Sequence, residues 1–245
     1  MALDTMTLDT IAPLTRSGEF KAGLAAVMPM LIGAIPFGLI YGVLAIKAGI
    51  DPWLAIAISS IVFAGSAQFM ITQLVAAATP GALIVLSVAI INLRHALYSA
   101  ALAGRLKTLS LPWKSLLAYL LTDEAYAAVI RRFESDASPD TRHWFLFGAG
   151  FGLWFTWQLA CIAGVLLGGQ IPAGWPLDFA GTLTFIAIVV PLLHGRAAWG
   201  AMLVAGVVSV AAFALPYKLA IIAAALAGMA AGMLFDMSAQ QEKKP

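Results

Sequence analysis

The chain has 245 residues, of which 62% are hydrophobic and only 11% carry a formal charge. A water-soluble domain has about 25% charged residues and about 45–50% apolar ones, so this composition excludes a soluble globule and a disordered chain. The net charge of +2 is too small to indicate a nucleic-acid partner, and a single cysteine excludes an intramolecular disulfide. We therefore interpret the chain as one membrane domain built from helices of about 20 residues each.

Long gaps between charged residues predict the membrane segments, at about 23–46, 53–78, 82–104, 114–131, 143–168, 177–194, 197–215 and 217–235. The predicted fold class is an all-α integral membrane protein, a polytopic bundle of about seven (six to eight) transmembrane helices. One of these helices can be re-entrant or broken. The predicted division is a cytoplasmic N-terminal tail (1–20), a single transmembrane transporter domain (21–236) and a polar C-terminal tail (237–245).

Basic residues between the segments bear on orientation, because cytoplasmic loops collect Lys and Arg. All four basic groups favour the cytoplasm, although three full crossings would separate the first group from the second. Two alternatives resolve this: segment 53–78 is re-entrant or broken, or segment 114–131 lies in the interface. We expect a cytoplasmic N-terminus in either case. The four groups are Arg16 and Lys21; Arg105, Lys107 and Lys114; Arg131, Arg132 and Arg142; and Lys243 and Lys244.

A weak internal repeat relates two short stretches. Residues 63–69 read FAGSAQF, and residues 179–185 carry the related FAGTLTF. Internal repeats are common in secondary transporters, so this pair favours that class.

Arg94 is the most unusual residue in the apolar segments, because it follows 42 residues without a formal charge. A cation at mid-membrane costs about 2.5–3.5 kcal/mol on insertion scales. Asn92, His95 and Ser99 share one helical face, and Arg94 and Tyr98 share an adjacent one. Arg94 either extends to the membrane surface or faces a cavity, where it or His95 meets a carboxylate. His95 could also relay protons, because imidazole titrates near neutrality.

Asp123 and Glu124 interrupt the segment 114–131. Adjacent helical residues point about 100° apart, so at most one of the two can centre on a shared site. One alternative is that Thr122 and Asp123 begin a helix with an acidic first turn. The other is a partly buried carboxylate, paired with Arg94 or His95, that exchanges a proton during transport.

Residues 63–69 combine small and polar side chains between two phenylalanines. Gly65 and Ser66 permit close helix packing, whereas Gln68 needs a hydrogen-bond partner within the membrane. A helix break here would free backbone groups to hold an amino group or a carboxylate. The candidate hinges are Pro36, Gly38 and Pro191.

Motifs of nucleotide hydrolysis, metalloproteases, serine hydrolases and dithiol chemistry are missing from the sequence. We therefore expect no enzyme activity, no cofactor and no bound metal.

Four short elements in order resemble the AzlC family of prokaryotic branched-chain amino acid exporters, also called the LIV-E family. They are IPFGLIYG (35–42), FAGSAQF (63–69), NLRHALYS (92–99) and LTDEAYA (121–127). The chain departs from the family pattern at position 99, where it has serine and the pattern favours glycine. The resemblance covers about residues 20–235. It implies export of leucine, isoleucine, valine and sometimes methionine. It also implies a proton-motive driving force and a small AzlD-type membrane subunit.

The resulting hypothesis is a proton-coupled secondary transporter subunit in a prokaryotic inner membrane. Its alternatives are a membrane scaffold without a transport path, or an exporter of another small hydrophobic solute. The candidate substrate-binding or proton-coupling residues are Gly65, Ser66, Gln68, Asn92, Arg94, His95, Tyr98, Asp123 and Glu124.

Overall fold

A computed structural model describes residues 15–134, 141–170, 193, 195–215 and 219–241. These residues form nine α-helices, and no strand occurs among them. The helices are α1 (Arg16–Lys47), α2 (Pro52–Ile61), α3 (Gly65–Ala76), α4 (Gly81–Ala103), α5 (Leu111–Leu120), α6 (Asp123–Glu134), α7 (Arg142–Gly168), α8 (Gly195–Ala211) and α9 (Leu219–Gln241). The predicted all-α class is thus confirmed for the part of the chain that the structure describes. Helix α1 starts before residue 20 and α9 ends after residue 236, so both predicted tails overlap helical residues.

Within the described ranges, four helices are long and apolar enough to cross a membrane, namely Arg16–Lys47, Gly81–Ala103, Arg142–Gly168 and Leu219–Ser238. The chain is therefore a polytopic helical membrane protein, and the number of about seven spans stays a prediction. The predicted segment 177–194 lies outside the described residues, together with Pro191 and the second copy of the FAGS-like repeat.

The predicted segment 53–78 is broken in the structure. Helix α2 ends at Ile61 and α3 begins at Gly65, with residues 62–64 outside either helix. The Asp51 carboxylate caps α2 by accepting hydrogen bonds from the N–H groups of Trp53 (2.9 Å) and Leu54 (3.3 Å). The helices measure about 15 Å and 18 Å at 1.5 Å per residue, so neither alone spans a hydrocarbon core of about 30 Å.

The predicted segment 114–131 is broken too. Helix α5 ends at Leu120 and α6 begins at Asp123. Thr122 caps α6: its hydroxyl accepts from the N–H of Ala125 (3.4 Å), and its carbonyl accepts from the N–H of Tyr126 (2.8 Å). The interpretation of Thr122 and Asp123 as a helix start with an acidic first turn is therefore confirmed.

The helices group into two compact units, each made of two stretches of chain. The first unit is Met1–Ile32 with Leu97–Phe155, and the second is Gly33–Ala96 with Thr156–Pro245. Helices α1, α4 and α7 contribute residues to both units.

Close glycine contacts join α1 to α7 in the second unit. A Cβ atom added at Gly42 would lie 2.5 Å from the carbonyl oxygen of Cys161 and 2.5 Å from the amide nitrogen of Val165. In return, Gly164 of α7 abuts the backbone of Leu39. Such contacts let two helices approach closely in a membrane, where no hydrophobic effect draws helices together.

The two hinge candidates in α1 lie within a continuous helix. Pro36 is exposed, and Gly38 packs so tightly on α7 that an added Cβ would lie 2.8 Å from Cβ of Ala160. Gly38 therefore has a packing role, and a hinge in α1 stays a prediction.

A buried ion pair stabilises the first unit. Glu19, in the first turn of α1, is fully buried, and Nη2 of Arg132 in α6 lies 2.5 Å from its Oε1. The Arg132 guanidinium also lies over the ring of Phe145, 5.9 Å from the centroid. In the sequence, Arg132 belongs to a basic group. Its pairing with Glu19 is not apparent there, because the two residues are 113 positions apart in the chain.

We expect Gly42→Ala to destabilise the protein, because the added methyl group would collide with the α7 backbone. Overpacking of this kind costs about 1–3 kcal/mol, which lowers the melting temperature by roughly 5 °C for a chain of this size. Thermal unfolding in detergent, followed by size-exclusion chromatography, measures the change.

The matched control is Gly33→Ala in the same helix, where the added methyl group meets no described atom within 4 Å. Equal melting temperatures for the two variants would contradict the packing role of Gly42.

Candidate functional site

Gln68 holds the break between α2 and α3 together. Its side chain is fully buried, and its Nε2 donates to the carbonyl oxygens of Ser59 (3.2 Å) and Val62 (2.8 Å). Its Oε1 accepts a hydrogen bond from Nε1 of Trp157 in α7 (3.1 Å). Both amide hydrogens thus bind carbonyls at the end of α2. These carbonyls need donors because the helix is broken there and the hydrocarbon core contains no water.

Gln158 provides a second amide at the same place. Its Nε2 donates to the Ser59 carbonyl (3.1 Å), and its Oε1 accepts from the hydroxyl of Ser60 (3.2 Å). Gln158 is not among the residues predicted from the sequence. The signal available in the sequence was an amide side chain within the uncharged segment 143–168. The structure shows that this amide is buried.

Aromatic rings surround Gly65, the first residue of α3. A Cβ added there would lie 2.9 Å from the Trp157 ring and 3.2 Å from the Phe37 ring. Phe37 stacks on Phe69 with ring centroids 4.5 Å apart. The start of α3 therefore lies against apolar walls that could contact an aliphatic side chain.

The Arg94 side chain reaches the first turn of α3. Its Nη2 donates a hydrogen bond to Oγ of Ser66 (2.7 Å). Helix α3 has no acidic residue in its first turn and no side-chain cap, so its N-terminus carries an uncompensated partial positive charge. The cation and the helix end together form an environment suited to an anion.

The second unit contains three of the predicted site residues, Ser66, Gln68 and Arg94. Arg94 contacts Ser66 directly.

Asn92 and His95 are half-buried on α4 in the same unit. The Oδ1 atom of Asn92 is buried and accepts no hydrogen bond from the part of the chain that the structure describes. An acceptor in this state is available to a ligand donor.

Tyr98, Asp123 and Glu124 belong to the first unit. Tyr98 stacks on Tyr126 of α6, with centroids 4.7 Å apart. Asp123 is half-buried and Glu124 is exposed. The pairing of these carboxylates with Arg94 or His95 would join residues of different units, and it stays a prediction.

The fold and this polar site define a polytopic helical membrane protein in which an arginine contacts the start of a helix after a break. A family model described as "AzlC protein" matches residues 29–171, and the chain belongs to the AzlC family. The resemblance deduced from the four sequence elements is thus confirmed. No solved structure matches the chain significantly.

Several curated proteins are similar to the chain over most of its length. An "Uncharacterized membrane protein" of Archaeoglobus fulgidus is 31% identical over 88% of this chain and 94% of its own length. "Inner membrane protein YgaZ" of Escherichia coli is 29% identical over 70% of each chain. An "Uncharacterized membrane protein" of Helicobacter pylori is 26% identical over 82% of this chain and 89% of its own. These names support the membrane location and leave the substrate open.

We expect Gln68→Leu to destabilise the protein, because the buried Nε1–H of Trp157 would lose its acceptor. The carbonyls of Ser59 and Val62 would each keep one other donor, from Gln158 and from the Ala64 N–H. A buried polar group left without its partner costs about 1–3 kcal/mol. The melting temperature in detergent measures the loss.

The control is Gln73→Leu, an exposed glutamine on the same helix. If Gln68→Leu unfolds at the temperature of the control, Gln68 does not hold the break.

Proposed function

We propose that this protein is the large subunit of a proton-coupled secondary transporter. It exports leucine, isoleucine and valine, with methionine as a further substrate, across a prokaryotic inner membrane. Its N-terminus lies in the cytoplasm, and it acts with a small AzlD-type membrane subunit. Membership of the AzlC family supports this class of function.

The observation that carries the proposal is the hydrogen bond from Arg94 to Ser66 in the first turn of α3. The guanidinium therefore lies beside the positive end of α3. A substrate carboxylate fits this point, since guanidinium and backbone N–H groups both donate to carboxylate oxygens.

The opposite side of the break suits the substrate's ammonium group. Helix α2 ends at Ile61, so its C-terminal end carries a partial negative charge, while the carbonyls of Ser59 and Val62 already accept from Gln68. A helix break therefore presents a positive end and a negative end a few residues apart, which matches the two charges of an amino acid. The buried Oδ1 of Asn92 is a further candidate acceptor for the ammonium.

The aliphatic side chain requires apolar surface next to those charges. Phe37, Phe69 and Trp157 provide it around Gly65. Trp157 also donates to Gln68, so one side chain both supports the break and lines the apolar wall.

Asp123 is the carboxylate that we assign to proton coupling. It is half-buried in the first turn of α6, whereas Glu124 beside it is exposed. The protonation of a partly buried carboxylate depends on its surroundings, so it responds to a conformational change more than that of an exposed one.

Radiolabelled leucine flux in proteoliposomes, with and without the small subunit and under an imposed pH gradient, tests the proposal. Flux that follows the gradient supports it. Flux that ignores the gradient indicates a passive channel. A folded complex without flux of leucine, isoleucine, valine or methionine would overturn the substrate assignment and favour a scaffold role.

Arg94→Gln should weaken the apparent affinity for leucine by about tenfold or more, because a hydrogen bond to a charged group is worth about 1.5–3 kcal/mol. The control is Arg105→Gln, which removes an exposed positive charge just beyond α4. The two variants are compared by the leucine concentration that gives half-maximal flux. An unchanged value for Arg94→Gln would remove Arg94 from the binding site.

Asp123→Asn should abolish gradient-driven flux, while Glu124→Gln retains it. The asparagine keeps the size and polarity of the side chain but cannot exchange a proton. Leucine counterflow without a pH gradient serves as the control for folding and binding, and Asp123→Asn should preserve it. Full gradient-driven export by both variants would refute the proton role of this pair.

A further inference from the structure

The first unit contains a cavity of about 310 Å³ that the proposed transport site does not use. It lies between the end of α4, helix α5 and the N-terminal part of α7. Five of its ten lining residues are leucines, and four of these are almost completely buried: Leu102, Leu117, Leu121 and Leu146. The interior of the cavity is therefore suited to a hydrocarbon group.

Two lysines, Lys107 and Lys114, supply the charge at this cavity. Both are exposed, and Nζ of Lys114 donates to the main-chain carbonyl of Lys107 (2.8 Å), which keeps the two residues together. None of the residues that line the cavity is acidic. An occupant must therefore combine an apolar part with a negatively charged head.

Neighbouring aromatic residues indicate the depth of the cavity in the membrane. Trp113, next to Lys114, packs edge-on against Trp144 (5.0 Å between centroids) and Phe147 (5.6 Å). Tryptophans cluster at the boundary between hydrocarbon and headgroups, and α4 ends at Ala103. The lysines therefore lie at the level of lipid headgroups.

We propose that this cavity binds an anionic phospholipid, with its phosphate at Lys107 and Lys114 and an acyl chain among the leucines. Basic pockets between membrane helices bind anionic headgroups in this way. A free amino acid fits less well, because its ammonium would face two lysines without a carboxylate in the lining. The same repulsion disfavours zwitterionic phosphatidylcholine.

Native mass spectrometry of the full-length protein tests the proposal, with phosphatidylglycerol and phosphatidylcholine of identical acyl chains. Phosphatidylglycerol should bind more tightly. Lys107→Gln/Lys114→Gln should weaken its binding by roughly 30-fold, since each basic side chain near an anionic lipid surface is worth about a fivefold change. Arg16→Gln/Lys21→Gln removes two exposed charges from α1 of the same unit and should change the binding little.

A second variant tests the apolar part without a change of charge. Ala118 lines the cavity from an exposed position on α5, so Ala118→Phe should fill the cavity and reduce phosphatidylglycerol binding while the protein stays folded. Equal binding of the two lipids, or unchanged phosphatidylglycerol binding in the double lysine variant, would overturn the proposal. Displacement of the bound lipid by leucine would also overturn it and assign the cavity to the amino acid.

Discussion

The interruption between Ile61 and Gly65 exposes main-chain carbonyls in a part of the protein where the membrane offers no water. Gln68 meets this constraint by donating one amide hydrogen to Ser59 and the other to Val62. The break can persist only because these carbonyls have donors, since each unsatisfied group in lipid costs several kcal/mol. The opposed helix ends on which the proposed substrate site depends exist because of this arrangement.

The two helix breaks differ in the charged groups at the helix start that follows each of them, and we assign them different functions. The start of α6 has a Thr122 cap and acidic residues in its first turn, so its dipole is compensated locally. The start of α3 has neither, and it holds the Arg94 guanidinium on Ser66. In the proposed function, the substrate carboxylate therefore binds at α3, whereas α6 supplies the carboxylate that accepts a proton.

Helix α7 packs against the helix break at which the substrate is proposed to bind. Its close contacts with α1, through Gly42 and Gly164, leave no room for side chains between the two backbones. They fix the part of α7 that belongs to the second unit, and Trp157 and Gln158 in that part reach the break. Replacement of Gly42 or Gly164 by a larger residue would thus affect the site, although neither glycine contacts it.

The sequence by itself determined the membrane class, the all-helical architecture and the family, because composition and short motifs are local properties of the chain. It also indicated both breaks, since Gly65 and the Thr122–Asp123 pair are local signals of a helix boundary. The tertiary structure alone decided which polar groups meet. Gln68 and Trp157 are 89 residues apart, Ser60 and Gln158 are 98 apart, and Glu19 and Arg132 are 113 apart. Such partners depend on how helices pack, and side chains that approach each other across helices leave no periodic signal in the chain.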